Sequence, residues 1–275
     1  MSELKFSKLH GCGNSFIVVD DRQSRIKNPS NLARRVTSAQ FGIGADGLIL
    51  LRTSKKHDLR MDYFNADGST AEMCGNGIRC LAKFAADNKI TRKKALSIET
   101  GAGAIRTELG RTRGEVSEVT VDMGLPAFRS SDVIAKRFPI TDLKIGGRGY
   151  TFVSMGNPHA VTFVSDFDFD VAKAGRVVEY TARVFPHRVN VGFAQVRSRT
   201  TLQLKVWERG CGLTHACGTG ACAAVVAATL HGKVRKSPIK VFVDGGILVI
   251  RWDDRTGRIF MTGPAAVVAE GTLRL

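Results

Sequence analysis

Two stretches of this chain share one pattern, a cysteine followed by Gly-x-Gly and then by a run of small apolar residues. The first stretch is Cys74-Gly75-Asn76-Gly77, and the second, Cys217-Gly218-Thr219-Gly220, follows it at a spacing of 143 residues. The runs that come next, residues 81–86 and 223–228, have the composition of helices. We therefore expect each cysteine at the start of a helix, within one of two similar parts of the fold.

The same spacing recurs at other landmarks along the chain. It separates Asn14 from Asn157, Asn65 from Glu208, Leu96 from Ile239 and Gly103 from Gly246. Equal spacing at well-separated positions indicates a duplicated domain of about half the chain, and a period this long favours two domains over a solenoid. If the two copies pack about a pseudo-twofold axis, both helix starts converge on one cleft between the domains.

Short strands joined by glycine turns dominate the rest of the pattern. We predict a first pair of strands on either side of residues 11–14, a helix over residues 32–40 capped by Ser30 or Asn31, and another helix over about residues 171–183. The turn at Gly124-Leu125-Pro126 is the expected domain boundary. The strands that we predict are residues 4–10, 16–21, 48–51, 59–64, 95–100, 104–109, 118–122, 150–153, 160–164, 190–196, 202–207, 239–243 and 247–250.

Length and composition indicate an ordinary globular chain. It has 275 residues, with 29 glycines and only 7 prolines, which fits many tight turns better than disorder. The first ten residues carry charges where a signal peptide needs an apolar core, and the longest small-apolar run, residues 221–230, is too short to span a bilayer. We therefore expect a cytoplasmic protein with no membrane partner, whose 6 cysteines remain thiols.

The net charge of +16 raises the question of a nucleic-acid partner. Such a partner predicts basic residues clustered on one face together with stacking aromatics or a recognisable module. Lysine and arginine are instead spread along the chain in short groups. This distribution favours a solvated basic surface, which also attracts anionic substrates, over a nucleic-acid site.

Two thiols at helix starts suit one reaction type, in which a proton leaves one face of a carbon and another proton arrives at the opposite face. Racemisation at an amino-acid α-carbon needs one thiolate base, one thiol acid and stabilisation of the developing carboxylate charge. Helix starts provide free backbone N–H groups that can hold a carboxylate and lower the pKa of a nearby thiol. The N–H groups of Gly75, Asn76, Gly218 and Thr219 are the candidates here. No cofactor motif is present, so we expect none.

The cysteines could also serve as buried packing residues, as metal ligands or as the nucleophile of a hydrolase. If the Cys-Gly-x-Gly pattern occurred only once, its cysteine would be interpreted as a small buried residue that only packs. This interpretation is kept for the four other cysteines, Cys12, Cys80, Cys211 and Cys222. No zinc-site spacing occurs, so no metal is expected. A cysteine–histidine hydrolase using His159 or His215 would leave the second cysteine unexplained. The duplicated pattern favours Cys74 and Cys217 as a functional pair.

Several polar residues stand at strand ends near these helices. Glu208 and Arg209 follow a strand and could bind an ammonium and a carboxylate, although an exposed ion pair is the ordinary interpretation. Four asparagines at repeat-related strand ends are either turn residues or a neutral lining of a cleft: Asn14, Asn65, Asn157 and Asn190. His159 is either a satisfied turn histidine or an assistant to a thiol.

Seven motifs in order make the chain resemble the diaminopimelate epimerase family along nearly its whole length. They are residues 8–16 (KLHGCGNSF), 42–47 (GIGADG), 64–69 (FNADGS), 73–77 (MCGNG), 155–159 (MGNPH), 188–193 (RVNVGF) and 208–210 (ERG) with 216–221 (ACGTGA). The resemblance implies an α+β fold of two pseudo-symmetric domains, each a curved mixed sheet or barrel around a central helix. The active site is then in the interdomain cleft. The implied domains are residues 1–124 with a returning strand at 265–275, and a duplicated copy at 125–264.

The same resemblance implies cofactor-independent interconversion of LL- and meso-2,6-diaminopimelate, a step towards lysine and cell-wall precursors. Cys74 and Cys217 become the acid/base residues, and His159 and Glu208 tune the thiols. The residues implied to bind substrate are Asn14, Asn65, Gly75, Asn76, Asn157, Asn190, Glu208, Arg209, Gly218 and Thr219. A racemase acting on another amino acid is the alternative, and a homodimer is left open. Departures from the family pattern at Ser15, Gly47 and Leu213 bear on the shape of the pocket.

Overall fold

The computed structural model describes residues 3–135, 138–235 and 238–274. The chain divides into two compact units, an N-terminal unit of Met1–Asp122 with Thr262–Leu275 and a C-terminal unit of Met123–Met261. The predicted boundaries at 124/125 and 264/265 stand a few residues from these divisions. Residues 1, 2, 136, 137, 236, 237 and 275, which the predicted domains and the predicted last strand include, lie outside the described residues.

The N-terminal unit is a mixed sheet with two helices. Its elements are β1 (Glu3–Gly11), β2 (Asn14–Asp20), α1 (Pro29–Thr37), β3 (Gly47–Arg52), β4 (Leu59–Asn65), β5 (Thr70–Ala71), α2 (Gly75–Asp87), β6 (Ala95–Thr100), β7 (Gly103–Thr112) and β8 (Glu115–Gly124). Neighbours in the order β1-β2-β3-β4-β6-β7-β8 are paired, with β5 on β4. The β2–β3 and β4–β6 pairs are parallel and the others are antiparallel.

The C-terminal unit follows the same order of elements. After one additional short strand, β9 (Leu143–Ile145), its elements are β10 (Arg148–Ser154), β11 (Pro158–Val164), α3 (Val171–Glu179), β12 (Asn190–Ser198), β13 (Thr201–Glu208), β14 (Gly212–Thr214), α4 (Gly218–Leu230), β15 (Ile239–Val243), β16 (Gly246–Trp252) and β17 (Ile259–Pro264). The last strand, β18 (Ala266–Arg274), lies in the N-terminal unit. The parallel pairs are β11–β12 and β13–β15, at the positions that β2–β3 and β4–β6 occupy in the first unit.

The last strand belongs to the first unit because β18 pairs antiparallel with β1, from Glu3 opposite Arg274 to His10 opposite Ala266. A hydrogen bond between the hydroxyls of Thr120 and Thr262, 2.7 Å long, ties the end of β17 from Thr262 onwards into the same unit. The strand pairing satisfies the outer edge of β1, which would otherwise present unpaired backbone groups to solvent.

Each unit surrounds one long helix. α2 packs against β1, β2, β3, β4 and β7, and α4 packs against the equivalent strands β10, β11, β12, β13 and β16. Every residue of α4 from Ala221 to Ala228 is buried, which explains why its apolar residues cover all faces instead of one stripe. α2 is buried just as deeply but includes Arg79 and Lys83. The predicted α+β class is confirmed, and the shared ancestry of the two units stays a prediction.

The predicted bounds of the two shorter helices, α1 and α3, differ from the observed ones. α1 starts at Pro29 because Asn28, rather than Ser30 or Asn31, is its N-cap, with the side-chain oxygen of Asn28 accepting from the N–H of Asn31 at 3.1 Å. α3 ends at Glu179, short of the predicted residue 183. There the Glu179 carboxylate accepts from the indole of Trp207 at 2.7 Å and from the N–H of Gly210 at 2.9 Å, which ties the helix end to the sheet.

Four of the observed strands were not predicted from the sequence: β5, β9, β14 and β17. The first three have two or three residues each, too few to show an alternating pattern. Within the described ranges, no helix is long and apolar enough to cross a membrane.

Candidate active site

The first candidate site lies at the start of α2, where Cys74 is the N-cap with an extended backbone at φ −137°. The backbone N–H groups of the first helical turn have no partner within the helix, so Gly75 and Asn76 can present theirs to an anion. Gly77 is required for space, since an added Cβ would lie 2.9 Å from Ile49 and 3.5 Å from the Cβ of Cys74. This helix start therefore packs directly against the sheet.

The C-terminal unit repeats this arrangement with Cys217 as the N-cap of α4. Cys217 is 5% exposed, whereas Cys74 is half-buried. Gly220 stands where Gly77 stands in the first unit, and a Cβ there would lie 3.3 Å from both Cβ and Sγ of Cys217. The second glycine of each Cys-Gly-x-Gly pattern, Gly77 or Gly220, thus leaves room for the cysteine of the same pattern.

An amide network surrounds Cys74. Its sulfur lies 3.7 Å from Oδ1 of Asn14, which also accepts a hydrogen bond from the side-chain amide of Asn76 at 3.2 Å. Asn14 is held there by the β1–β2 hairpin, whose two-residue turn has positive φ at both Cys12 (53°) and Gly13 (83°). Turns of this kind match the twist of a hairpin, so the turn places Asn14 directly opposite Gly11.

A carboxylate neighbours Cys217 in the second site. Glu208, the last residue of β13, accepts hydrogen bonds from the hydroxyl of Thr214 and from the Cys217 thiol. Burial raises the pKa of Glu208, while these hydrogen bonds lower it. Burial also raises the pKa of Cys217 well above its usual value, and the Glu208 charge adds to that rise.

The helix start does lower the pKa of Cys217, through a hydrogen bond from the backbone N–H of Gly220, but the net shift of this pKa is upward. The charge effect of a helix start is about 0.3–1 kcal/mol, which is less than one pKa unit. Complete burial can shift a pKa by about 3–5 units in the opposite direction. At 5% exposure, desolvation outweighs the helix start, and Cys217 is held as a thiol.

Asn157 and His159 connect to the same thiol. Nε2 of His159 lies 3.0 Å from Oδ1 of Asn157, and the Asn157 amide donates to the hydroxyl of Thr219 at 3.2 Å. That hydroxyl is 3.5 Å from the sulfur of Cys217. Burial, aided by the charge of Arg209, lowers the pKa of His159 to about 3. His159 is therefore a neutral hydrogen-bonding group and does not supply a positive charge to the thiol.

The remaining predicted residues form two further groups. Asn190 is buried, with its amide donating to the carbonyl of Pro158 at 2.9 Å and its Oδ1 accepting from the backbone N–H of Arg209 at 2.9 Å. The guanidinium of Arg209 donates to the carbonyl of His187 at 3.2 Å. Asn65, at the end of β4, donates to the hydroxyl of Ser69 at 3.0 Å. Glu208 faces the thiol, so its carboxylate and the Arg209 guanidinium have different partners.

The structure thus brings the predicted residues together in sets within each unit. In the N-terminal unit, Asn14, Cys74 and Asn76 form one hydrogen-bonded set, and Asn65 has its own contact with Ser69. A second set occupies the C-terminal unit and contains Asn157, His159, Glu208, Cys217 and Thr219. Asn190 joins the backbone of Arg209 to β11 beside it.

A family model described as diaminopimelate epimerase matches residues 6–128 and 151–268, which is most of the chain. The chain belongs to the diaminopimelate epimerase family. A diaminopimelate epimerase from Methanococcus maripaludis is 44% identical over 278 residues, covering 98% of this chain and 99% of the relative. Another, from Bacteroides thetaiotaomicron, is 43% identical and covers 99% and 98%. The predicted family is confirmed, and membership makes the chain an enzyme of the isomerase class.

Solved structures with little sequence identity share the fold. A PhzF-family phenazine biosynthesis protein from Bacillus anthracis aligns with a TM-score of 0.73 at 16% identity and covers all of both chains. A hydroxyproline epimerase from Agrobacterium vitis aligns with a TM-score of 0.72 at 14% identity, covering 99% of this chain and 91% of that one. At this identity the likeness shows the α+β fold alone.

The sequence did not assign a site role to two residues, Asp46 within the motif at 42–47 and Thr214. Asp46 accepts from the amide of Asn14 at 2.8 Å and from the N–H of Ser15 at 2.7 Å. Thr214 donates to Glu208 from β14. Parallel pairing of β2 and β3 places Phe16 opposite Gly47 and so Ser15 beside Asp46, a relation that the sequence would reveal only with the register known.

Proposed function

We propose that this enzyme interconverts LL- and meso-2,6-diaminopimelate without a cofactor, using Cys74 and Cys217 as the two proton-transfer groups. The substrate is proposed because the diaminopimelate epimerases of Methanococcus maripaludis and Bacteroides thetaiotaomicron share more than two fifths of their residues with this chain over nearly its full length. The observation that carries the chemistry is the placement of both cysteines. Each is the N-cap of the long buried helix of its unit.

The reaction needs one thiolate and one thiol. The thiolate takes the α-proton from one face of the carbon, and the electron pair left behind is delocalised into the α-carboxylate. The opposite thiol then gives its proton to the other face, so the configuration inverts at that one centre and the enzyme's proton has moved from one sulfur to the other. Running the reaction in reverse, or exchange with water, restores the first state.

Backbone N–H groups at the two helix starts stabilise the charge that develops on the α-carboxylate. We assign this role to Gly75 and Asn76 at α2 and to Gly218 and Thr219 at α4. Removing one preorganised donor of this kind typically costs about 100- to 1000-fold in kcat. An anion at a helix start also gains from the helix dipole.

The other predicted residues complete the proposed site. Asn14 contacts the substrate beside Cys74, while Asn65, Asn157, Asn190, Glu208 and Arg209 recognise the distal amino-acid end. Glu208 and His159 tune Cys217, Glu208 by its charge and His159 through Asn157 and Thr219. This assignment requires the two helix starts to face one cleft between residues 1–124 with 265–275 and the duplicated copy at 125–264.

We also propose a cytoplasmic location, because a biosynthetic enzyme of this type acts on a small cytoplasmic metabolite. A homodimer is compatible with this assignment, and nucleic acid is not a proposed partner.

The test is exchange of the α-proton in deuterium oxide. Purified protein is incubated with LL-diaminopimelate, and both the meso product and α-deuterium are followed by NMR. Formation of the meso isomer, lost in Cys74→Ala and Cys217→Ala but kept in the matched control Cys211→Ala at an exposed cysteine, supports the proposal. Exchange only with another amino acid, such as histidine, would assign a sister racemase. Exchange with no amino acid would refute the proposal.

A further inference from the structure

Asn14 and Asn157 occupy equivalent positions in the two units, at the spacing of 143 residues that separates Cys74 from Cys217. Each side-chain amide lies beside the cysteine helix of its own unit. Their second partners differ, since Asn14 contacts Asp46 and Asn157 contacts His159. Equivalent amides with different partners can be held in different orientations.

In the N-terminal unit, Asp46 fixes the orientation of Asn14. An ionised carboxylate can only accept hydrogen bonds, so the atom of Asn14 that lies 2.8 Å from Oδ2 of Asp46 must be the nitrogen. The backbone N–H of Ser15 donates to the same carboxylate oxygen at 2.7 Å and holds it in place. The acceptor Oδ1 of Asn14 is therefore turned towards the sulfur of Cys74 and the amide of Asn76.

In the C-terminal unit, Asn157 is held the opposite way round. Nδ1 of His159 is buried and has no hydrogen-bond partner among the described residues. A buried N–H without a partner is rarer than a buried acceptor without one, so the proton of the neutral ring belongs on Nε2. That N–H donates to Oδ1 of Asn157, which turns the amide nitrogen towards the hydroxyl of Thr219. Here the donor end of the amide faces the Thr219 hydroxyl, which in turn lies 3.5 Å from the sulfur of Cys217.

We propose that Asp46 is a positioning residue of the reaction, which holds the acceptor end of Asn14 against Cys74 and thereby favours the protonated form of that thiol. This inference rests on the proposed function, in which Cys74 is one of the two proton-transfer groups. The position equivalent to Asp46 in the second unit is Val189, so only the N-terminal unit has a carboxylate at this position to orient its asparagine. Asn14 therefore presents its acceptor directly to Cys74, whereas the donor end of Asn157 reaches Cys217 only through the Thr219 hydroxyl.

The charge of Asp46 is a competing explanation. Asp46 is exposed, so solvent screens its direct effect on Cys74, whereas the hydrogen bond through Asn14 needs no long-range field. Other charged and titratable groups near this site within the N-terminal unit come from the β1–β2 hairpin and from α2. They include Lys8, His10, Cys12, Arg79 and Cys80.

Two substitutions separate orientation from charge. Asp46→Ala removes the acceptor, so that Asn14 can turn its amide nitrogen to the sulfur. Asp46→Asn removes the charge but leaves an oxygen that can accept from both Asn14 and Ser15. The readout is the pH at which iodoacetamide alkylates Cys74 at half its maximal rate, measured for each cysteine peptide by mass spectrometry. Asp87→Ala, which removes a carboxylate at the far end of α2, is the control.

We expect the half-maximal pH of Cys74 to fall by about half to one unit in Asp46→Ala, from the size of one hydrogen bond. In Asp46→Asn and Asp87→Ala, the half-maximal pH of Cys74 should stay close to that of the parent protein. The half-maximal pH of Cys217 should be unchanged in all of these samples. Equal shifts in Asp46→Ala and Asp46→Asn would assign the effect to charge and overturn the proposal. No shift in Asp46→Ala would also overturn it.

Asn14→Leu provides a second route if Asp46→Ala does not fold, because it removes the acceptor itself. The proposal expects the half-maximal pH of Cys74 to fall in this variant too, and an unchanged value would contradict it. Alkylation does not require turnover, so these results stand apart from the exchange assay. A parent protein that fails to epimerise diaminopimelate would refute the proposed function while leaving the orientation of Asn14 measurable.

Discussion

The hydroxyl of Thr219 lies 3.5 Å from the sulfur of Cys217, in the first turn of α4. The same hydroxyl accepts from the amide of Asn157, so its own proton is free to point at the sulfur. A donor at this position stabilises the thiolate and lowers the pKa of Cys217, against the larger effect of burial. Hydrogen bonds from Thr219 and from the Gly220 N–H thus favour the thiolate of Cys217, whereas burial and the Glu208 charge favour the thiol.

Thr219→Val should therefore raise the pKa of Cys217. The variant keeps the branched shape and removes the hydroxyl, so the pH of half-maximal alkylation at Cys217 should rise by about half to one unit. Thr219→Ser, which keeps the hydroxyl, is the matched control and should stay near the parent value. Equal behaviour of the two variants would mean that the hydroxyl makes no such contact.

Glu208→Gln should shift the same group in the opposite direction. The Glu208 charge raises the pKa of Cys217, so neutralising it makes the thiolate easier to form. We expect the half-maximal pH of Cys217 to fall while that of Cys74 stays constant. Asp166→Asn removes an exposed carboxylate of the same unit and serves as the control. A shift of equal size in this control would assign the effect to net charge.

Gly220→Ala should damage the site through packing. The new Cβ would meet Val206 at 3.1 Å and Cys217 at 3.3 Å, closer than ordinary contacts. Overpacking costs about 1–3 kcal/mol, and the better helix propensity of alanine returns at most about 1 kcal/mol. We expect a lower free energy of unfolding and at least a tenfold loss of kcat, measured by urea unfolding and by the exchange assay.

Gly192→Ala is the control for this packing effect, because a Cβ there would make ordinary contacts at 3.6 Å or more. It should retain kcat within a few-fold of the parent. If Gly220→Ala and Gly192→Ala have the same kcat and the same free energy of unfolding, the close approach of Gly220 to Cys217 does not affect activity or stability.

The burial of His159 should make stability depend on pH. Its pKa falls from 6.5 to about 3 in the folded state, so between these values the unfolded chain binds a proton that the folded chain does not. The free energy of unfolding should therefore decrease as the pH falls from about 6.5 towards 3, by about 1.4 kcal/mol per pH unit from this group.

His159→Gln removes that titration while keeping an amide donor for Asn157. Urea unfolding at a series of pH values should show a shallower loss of stability in acid for this variant than for the parent. His187→Gln, at an exposed histidine, should follow the parent. A parallel acid profile for parent and His159→Gln would show that His159 is not buried in its neutral form.

The repeated order of elements was predictable from the sequence because it depends on residues with strict positional demands. Cys74 and Cys217 fall at helix starts, and Gly77 and Gly220 sit where a Cβ would collide. The bounds of α1 were not predictable to the residue, because several potential caps stand together and Asn28 with Pro29 outcompetes the later ones. Tertiary contacts, such as those of Glu179, decided where α3 ends.

The sequence could predict the residues proposed to exchange protons with the substrate. It could not predict a residue such as Asp46, whose proposed effect on Cys74 is transmitted through Asn14. Paired cysteines repeat visibly in the sequence. Asp46 does not, because its contact with Asn14 depends on the parallel register of β2 and β3, and the equivalent position in the second unit is Val189. The depth of burial that raises the pKa of Cys217 also depends on packing that local sequence does not specify.

The two-thiol mechanism is tested most directly by following isotopes at the start of the reaction in deuterium oxide. Each thiol carries a single proton that exchanges with solvent. When LL-diaminopimelate reacts, the acid thiol should deliver solvent deuterium to every new meso α-centre, while unreacted LL substrate at the same early time keeps its hydrogen. Cys74→Ala and Cys217→Ala should each abolish meso formation. Meso product that retains the substrate's own α-hydrogen would show that one group serves both faces and would contradict the account.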